Sequence, residues 1–100
     1  MDLAMTDLSG MRFRPSDDVV VQGVGAETVI LHVPSERFVT LDDIGADMWR
    51  VASTSPTVSQ TIDTLLTKFD VERSVLEADF LAFADRLSAL DLAKLEPLGP

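Results

Sequence analysis

Apolar positions change their period once along this chain, close to residue 42. Before it they come in short runs or alternate with polar residues. After it they recur every three or four positions. Asp18–Gln22 holds the run Val19-Val20-Val21, which suits a strand, and Gly23 and Gly25 flank Val24 ahead of Ala26 and Glu27, as in a hairpin loop. Thr28–Val33 is the clearest strand, with Val29, Leu31 and Val33 on one face and Ile30 and His32 on the other. Pro34-Ser35-Glu36 turns the chain, because Pro34 has a fixed φ and no backbone donor. Arg37–Leu41 then returns as a third strand. Neighbouring strands in sequence usually pair, so the pattern predicts an antiparallel meander with Arg37–Leu41 at its edge.

Beyond Leu41 the period is helical. Asp42 is placed to cap a helix over about Asp43–Ala52, in which Ile44, Met48 and Ala52 repeat beside Trp49. Gly45 is unfavourable inside it by roughly 1 kcal/mol relative to Ala. Ser53–Pro56 ends this helix. Thr57 with Gln60 resembles a capping box that opens a second helix to about Lys68, buried along Val58, Ile62, Leu65, Leu66 and Phe69. A third helix, about Arg73–Leu90, carries the stripe Leu76, Phe80, Phe83, Leu87 and Leu90. Val75, Ala78, Leu81, Ala82 and Ala84 widen its apolar region beyond the single side that a surface helix must cover. That excess reads either as a larger share of core or as a second contact surface. Strands followed by helices define an α+β class: a winged-helix-like fold with a three-stranded antiparallel sheet packed on three helices. Residues 1–16 read as a flexible N-terminal tail, 17–92 as the folded domain and 93–100 as a C-terminal tail, with Leu92 and Leu95 able to fold back onto the core.

Composition narrows the class. One hundred residues make a single domain, and 46% hydrophobic content supports a real core. There is no Cys, which removes disulfides and thiolate chemistry and fits a reducing compartment. No apolar run approaches the roughly 20 residues of a membrane span, and MDLAMTDLSG carries no basic residue of a signal peptide, so the cytoplasm is expected. Eight basic against 17 acidic residues give a net charge of -9, a field that repels phosphate backbones and suits a basic or neutral polypeptide partner.

The catalytic inventory is poor. His32 is the only histidine and lies in an alternating strand, where a surface or hydrogen-bonded role is expected. One imidazole without Cys makes no zinc site. Asp42, Asp43 and Asp47 cluster where capping and the helix dipole favour acids, so no metal, cofactor or catalytic residue is expected. A winged-helix DNA reader would present Arg, Lys, Asn or Gln on a recognition helix, but the second helix is nearly neutral and the third acidic or apolar. Polypeptide binding remains. An edge strand accepts an extended peptide through backbone hydrogen bonds, and a neighbouring helix supplies pockets for alternate side chains.

At this point TVILHVPSERFVTLDDIGADMW, followed by TVSQTIDTLLTKFDV and LEADFLAFADRLSAL, resembles the PqqD family over about residues 17–92. Leu41, Asp42, Asp43, Ile44, Gly45 and Trp49 match its strand-to-helix signature. Asp42 stands where Asn is common, and Glu36 and Asp91 stand where Gly is common. The resemblance implies a non-catalytic element that recognises the leader of a ribosomally made precursor peptide and presents it to a modifying enzyme, such as a radical SAM enzyme, a leader peptidase or a cyclase. PQQ-type synthesis is one such pathway. It implies a peptide-binding edge at Arg37, Phe38, Val39 and Thr40, faced by Val75, Leu76, Asp79, Phe80, Phe83 and Arg86 of the third helix, in a monomer or homodimer. The rival expectations are an acidic winged-helix DNA-binding regulator and a self-associating assembly protein.

Overall fold

Helix entry at residue 42 is fixed by one carboxylate. Asp42 keeps an extended backbone, and its Oδ1 accepts the Gly45 N–H at 2.9 Å. A computed structural model describes residues 8–98. It places β2 (Val19–Val24), β3 (Glu27–His32) and β4 (Arg37–Leu41) in an antiparallel meander of order β2-β3-β4, and α1 (Asp43–Thr54), α2 (Val58–Leu66) and α3 (Arg73–Ala89) after it, with β1 (Met11–Pro15) before and β5 (Ala93–Pro97) at the end. The α+β class and the three-stranded sheet packed on three helices are as the periodicity predicts. The first hairpin is tighter than expected. Its strands run on to Val24 and Glu27, leaving Gly25 and Ala26 as a two-residue turn with Gly25 at φ 63°.

The tails depart most from expectation. Within 1–16, Met11–Pro15 is β1, and within 93–100, Ala93–Pro97 is β5; residues 1–7 and 99–100 lie outside the described residues. The two strands pair antiparallel from Met11↔Pro97 to Pro15↔Ala93. Arg12 Nε donates to Glu96 at 2.8 Å across this ribbon, and the guanidinium holds the Glu96 carboxyl below its ordinary range. One side chain explains why the ribbon stays. Phe13 is buried, edge-on to Trp49 at 5.6 Å and 5.9 Å from Phe80, so β1 contributes a wedge to the core. Leu92 is fully buried as well, and Leu95 packs against the core.

The helices bury the stripes expected of them, with two revisions. Val58, Ile62 and Leu65 of α2 are fully buried, and Thr61, also buried, donates its hydroxyl to the Thr57 carbonyl. Only half of the capping box forms: Thr57 Oγ1 accepts the Gln60 N–H, while the Gln60 side chain meets the Thr57 hydroxyl and not the backbone. Ile44 is exposed, so the buried side of α1 is Met48, Trp49, Val51 and Ala52. Gly45 permits a close approach. A Cβ there would stand 3.3 Å from the Cβ and Cδ2 of buried Leu41, which locks the first turn of α1 onto the end of β4.

Candidate functional site

Among the described residues β4 is hydrogen-bonded on one side only. Its register runs Thr28↔Leu41 to His32↔Arg37 against β3, and no described strand pairs with its other edge. An unpaired edge exposes alternate N–H and C=O groups that seek partners. Val39 and Leu41 point inward with Ile30, whereas Phe38 and Thr40 point to the opposite, outer face.

The rotation of α3 follows from its partners. Arg73 donates to Asp63 of α2 at 2.6 Å and to Glu77 at 2.9 Å, and hydrogen bonds to both carboxylates raise its pKa. Arg73, Glu77 and the partly buried Leu81 therefore mark the α2 side. Leu76, Phe80, Phe83, Ala84 and Leu87 point into the core. The remaining flank carries Val75, Asp79, Ala82 and Arg86 at i, i+4, i+7 and i+11, all exposed. Its far end meets the start of β4, where Arg37 donates to the Ala89 carbonyl at 3.4 Å and approaches the Asp91 carboxylate at 3.7 Å. Arg37 thus ties the start of β4, whose outer edge is free, to the C-terminal end of the helix that carries this stripe.

Both bends that bring them together use a left-handed non-glycine residue: Glu36 at φ 61° and Asp91 at φ 62°. Asp91 ends α3 in a Schellman arrangement, with its N–H on the Ser88 carbonyl and the Leu92 N–H on the Leu87 carbonyl. These are the two positions where the resemblance places Gly. The φ > 0 requirement persists, and the side chains bear strain of roughly 1–3 kcal/mol each.

Of the ten residues expected at the site, Arg37, Phe38, Thr40, Val75, Asp79 and Arg86 are exposed and Val39 is half-buried. Phe80 is fully buried and Leu76 nearly so; they support the helix from beneath and present no surface to a ligand. Phe83 is 7% exposed, on the border between the core and the stripe. Phe38 lies on the outer sheet face, away from α3. Ala82, one of the residues that widen the apolar region of the helix, belongs to the stripe as well but is not among the ten; its i+7 spacing from Val75 is the signal. Beyond Arg37 an open polar cleft of about 490 Å³ is lined by residues that include Arg14, His32, Asp91 and Lys94. His32 Nδ1 is hydrogen-bonded to Ser35 Oγ at 2.8 Å. Among the described residues no group of three His, Cys, Asp or Glu side chains is placed to hold a metal ion, and no helix is long and apolar enough to cross a membrane.

A three-stranded meander packed on three helices, with β4 at its edge, defines the class: a small α+β domain of winged-helix-like form. The chain belongs to the family described as coenzyme PQQ synthesis protein D (PqqD), whose model matches residues 27–93. It is similar to a solved structure described as TbiB1 in complex with the TbiA(beta) leader peptide, at 25% identity and a TM-score of 0.73, over 87% of this chain and 99% of that one. It also shares the fold of a lasso peptide synthetase B1 complexed with the leader peptide, at 24% identity and a TM-score of 0.71, over 82% of this chain and 96% of that one. No curated protein matches.

Proposed function

We propose that this protein is a non-catalytic binder of a precursor's leader peptide, which it presents to a modifying enzyme. The observation that carries the reading is the free edge of β4, joined through Arg37 to the end of a helix with an exposed stripe. A leader segment adds to β4 as a fourth strand. Backbone groups of Arg37–Thr40 supply its hydrogen bonds, and Val75, Asp79, Arg86 and the rim of Phe83 meet its inward side chains. Family membership and the leader-bound solved structure at 25% identity support the same reading. It places the protein in the cytoplasm, where precursor peptides are made. The modifying enzyme is one of those the family serves: a radical SAM enzyme, a leader peptidase or a cyclase.

Proline substitution tests the edge directly. Successive residues of a strand point their N–H groups to opposite sides, so of Val39 and Thr40 one faces β3 and the other faces the open edge. Proline removes the donor at each. One of Val39→Pro and Thr40→Pro is expected to unfold or strongly destabilise the protein. The other is expected to keep the circular dichroism spectrum and lose at least tenfold in affinity for the leader of the precursor encoded beside it, measured by calorimetry. Full affinity in the folded variant refutes docking at β4.

A further inference from the structure

Ion pairing sets one arginine apart from the others. Acidic residues outnumber basic ones 17 to 8, so a cation in this chain readily finds a carboxylate. Arg12, Arg14, Arg37, Arg50 and Arg73 each lie within 4.0 Å of one. Among the described residues Arg86 is the arginine that does not, and it is exposed. Its neighbours on the helix surface, three and four positions away, are Ala82, Phe83, Ala89 and Leu90, none of them acidic. A place in the last turn of α3 suits its charge through the helix dipole, but leaves all the donors of its guanidinium open.

Arg37 reaches the same corner from the sheet. Its Nη1 donates to the carbonyl of Ala89, one turn beyond Arg86, and lies 3.7 Å from the Asp91 carboxylate. Helix positions three apart are neighbours, with Cβ atoms about 5–6 Å apart, so the two guanidiniums share the corner where α3 ends and β4 begins. Both contacts of Arg37 use Nη1, and a guanidinium has further donors to offer.

The backbone brings a ligand to this corner. The His32 carbonyl accepts the Glu36 N–H on the β4 side, while the Val33 N–H, one residue on, turns the other way to Asp18. With His32 opposite Arg37, the backbone groups of Arg37 and Val39 face β3, and those of Phe38 and Thr40 face the free edge. An antiparallel strand added at that edge therefore meets Arg37 in a non-hydrogen-bonded pair. Such pairs hold their Cα atoms about 4.5 Å apart and bring side chains closest.

We infer that Arg37 and Arg86 form a carboxylate subsite, and that the leader carries an Asp or Glu at the position opposite Arg37. This inference rests on the leader-binding reading and adds the chemistry of one leader position. A carboxylate there joins both guanidiniums through charge-assisted hydrogen bonds. The subsite also fixes the register. Backbone pairing and apolar contacts tolerate a slip of two residues along the edge, whereas a slip carries the carboxylate away from both arginines.

The test titrates the full-length protein by calorimetry with the synthetic leader of the precursor encoded beside it. A second set of leaders has each Asp or Glu changed in turn to Lys. Arg86→Glu is expected to lose at least about tenfold in affinity for the natural leader, and to regain at least about threefold with one Lys leader, the one changed opposite Arg37. Circular dichroism confirms that the variant is folded. Should it fail to fold, Arg86→Gln is expected to lose at least about threefold, and the same Lys change is expected to cost it less than it costs wild type. Undiminished binding of the natural leader by a folded variant overturns the subsite, as does a loss that no Lys leader offsets. A natural leader that binds and contains no Asp or Glu overturns it too. Failure of the wild type to bind leader at all overturns the proposed function and the subsite with it, so the two failures are distinct.

Discussion

Val75 separates a groove-lining role from a core role within one helix. Val75 is 49% exposed on the outer flank of α3, while Leu76, one position on, is 3% exposed. Complete burial of a Val is worth about 1.5–3 kcal/mol. The exposed half is thus worth about 0.7–1.5 kcal/mol to a ligand that covers it, or about 3- to 13-fold in affinity. Val75→Ser removes that apolar surface without adding charge, and Ser and Val have similar helix propensity. The half already buried contributes a similar amount to stability, so the midpoint of thermal unfolding is expected to fall by roughly 4–8 °C with the fold intact at 25 °C. Calorimetric titration with the leader peptide reads the affinity. Ser74→Ala, one residue back and about 100° around the helix, is the control and leaves affinity unchanged. Equal leader affinity for Val75→Ser and wild type would refute the assignment of this flank to the groove.

Three further outcomes follow from the same geometry. Phe83→Asp places a carboxylate at a 7% exposed core border, so it is expected to unfold the domain, seen as loss of the helical circular dichroism signal; a helical variant that fails only in leader binding would move Phe83 into the groove. Asp91→Gly relieves left-handed strain of about 1–3 kcal/mol and loses an exposed ion pair worth at most about 1 kcal/mol, so urea denaturation is expected to show a net gain in stability. Glu96 titrates below its ordinary value of 4.5 because the Arg12 guanidinium donates to it, so its contribution is complete above that pH and is lost as acidification passes its folded pKa. In Arg12→Ala that acid-sensitive component is expected to shrink, with Arg14 and Lys94 still favouring the carboxylate, read from melting temperatures between neutral and acid pH.

The meander and the helices were legible because each is written in a local code. Period two over Thr28–Val33, Asp42 before a helical period, and Thr57 ahead of Val58-Ile62-Leu65 all specify structure within a few residues. The β1–β5 ribbon was not, because Phe13 and Leu95 acquire their pairing from opposite ends of the chain. MRFRP reads locally as polar with one aromatic, and only Trp49 and Phe80 explain why Phe13 is buried. At the site, spacing alone gave the candidate stripes of α3 but not their rotation. Arg73 reaching Asp63 fixes that rotation and thereby sends Phe80 inward and Val75 outward. The outward turn of Phe38 follows the same alternation that buries Val39, once Ile30 identifies the inner face.

The ribbon also sets a schedule. Arg12 and Glu96 are 84 positions apart, and closing a loop of that length costs about 4 kcal/mol in chain entropy. The sheet and the three helices need only neighbours in sequence, so they are free to form as the chain leaves the ribosome. Phe13 must wait. Its slot between Trp49 and Phe80 is sealed only when Ala93–Pro97 emerges to pair with its strand, so completion of the core follows the meander and the three helices.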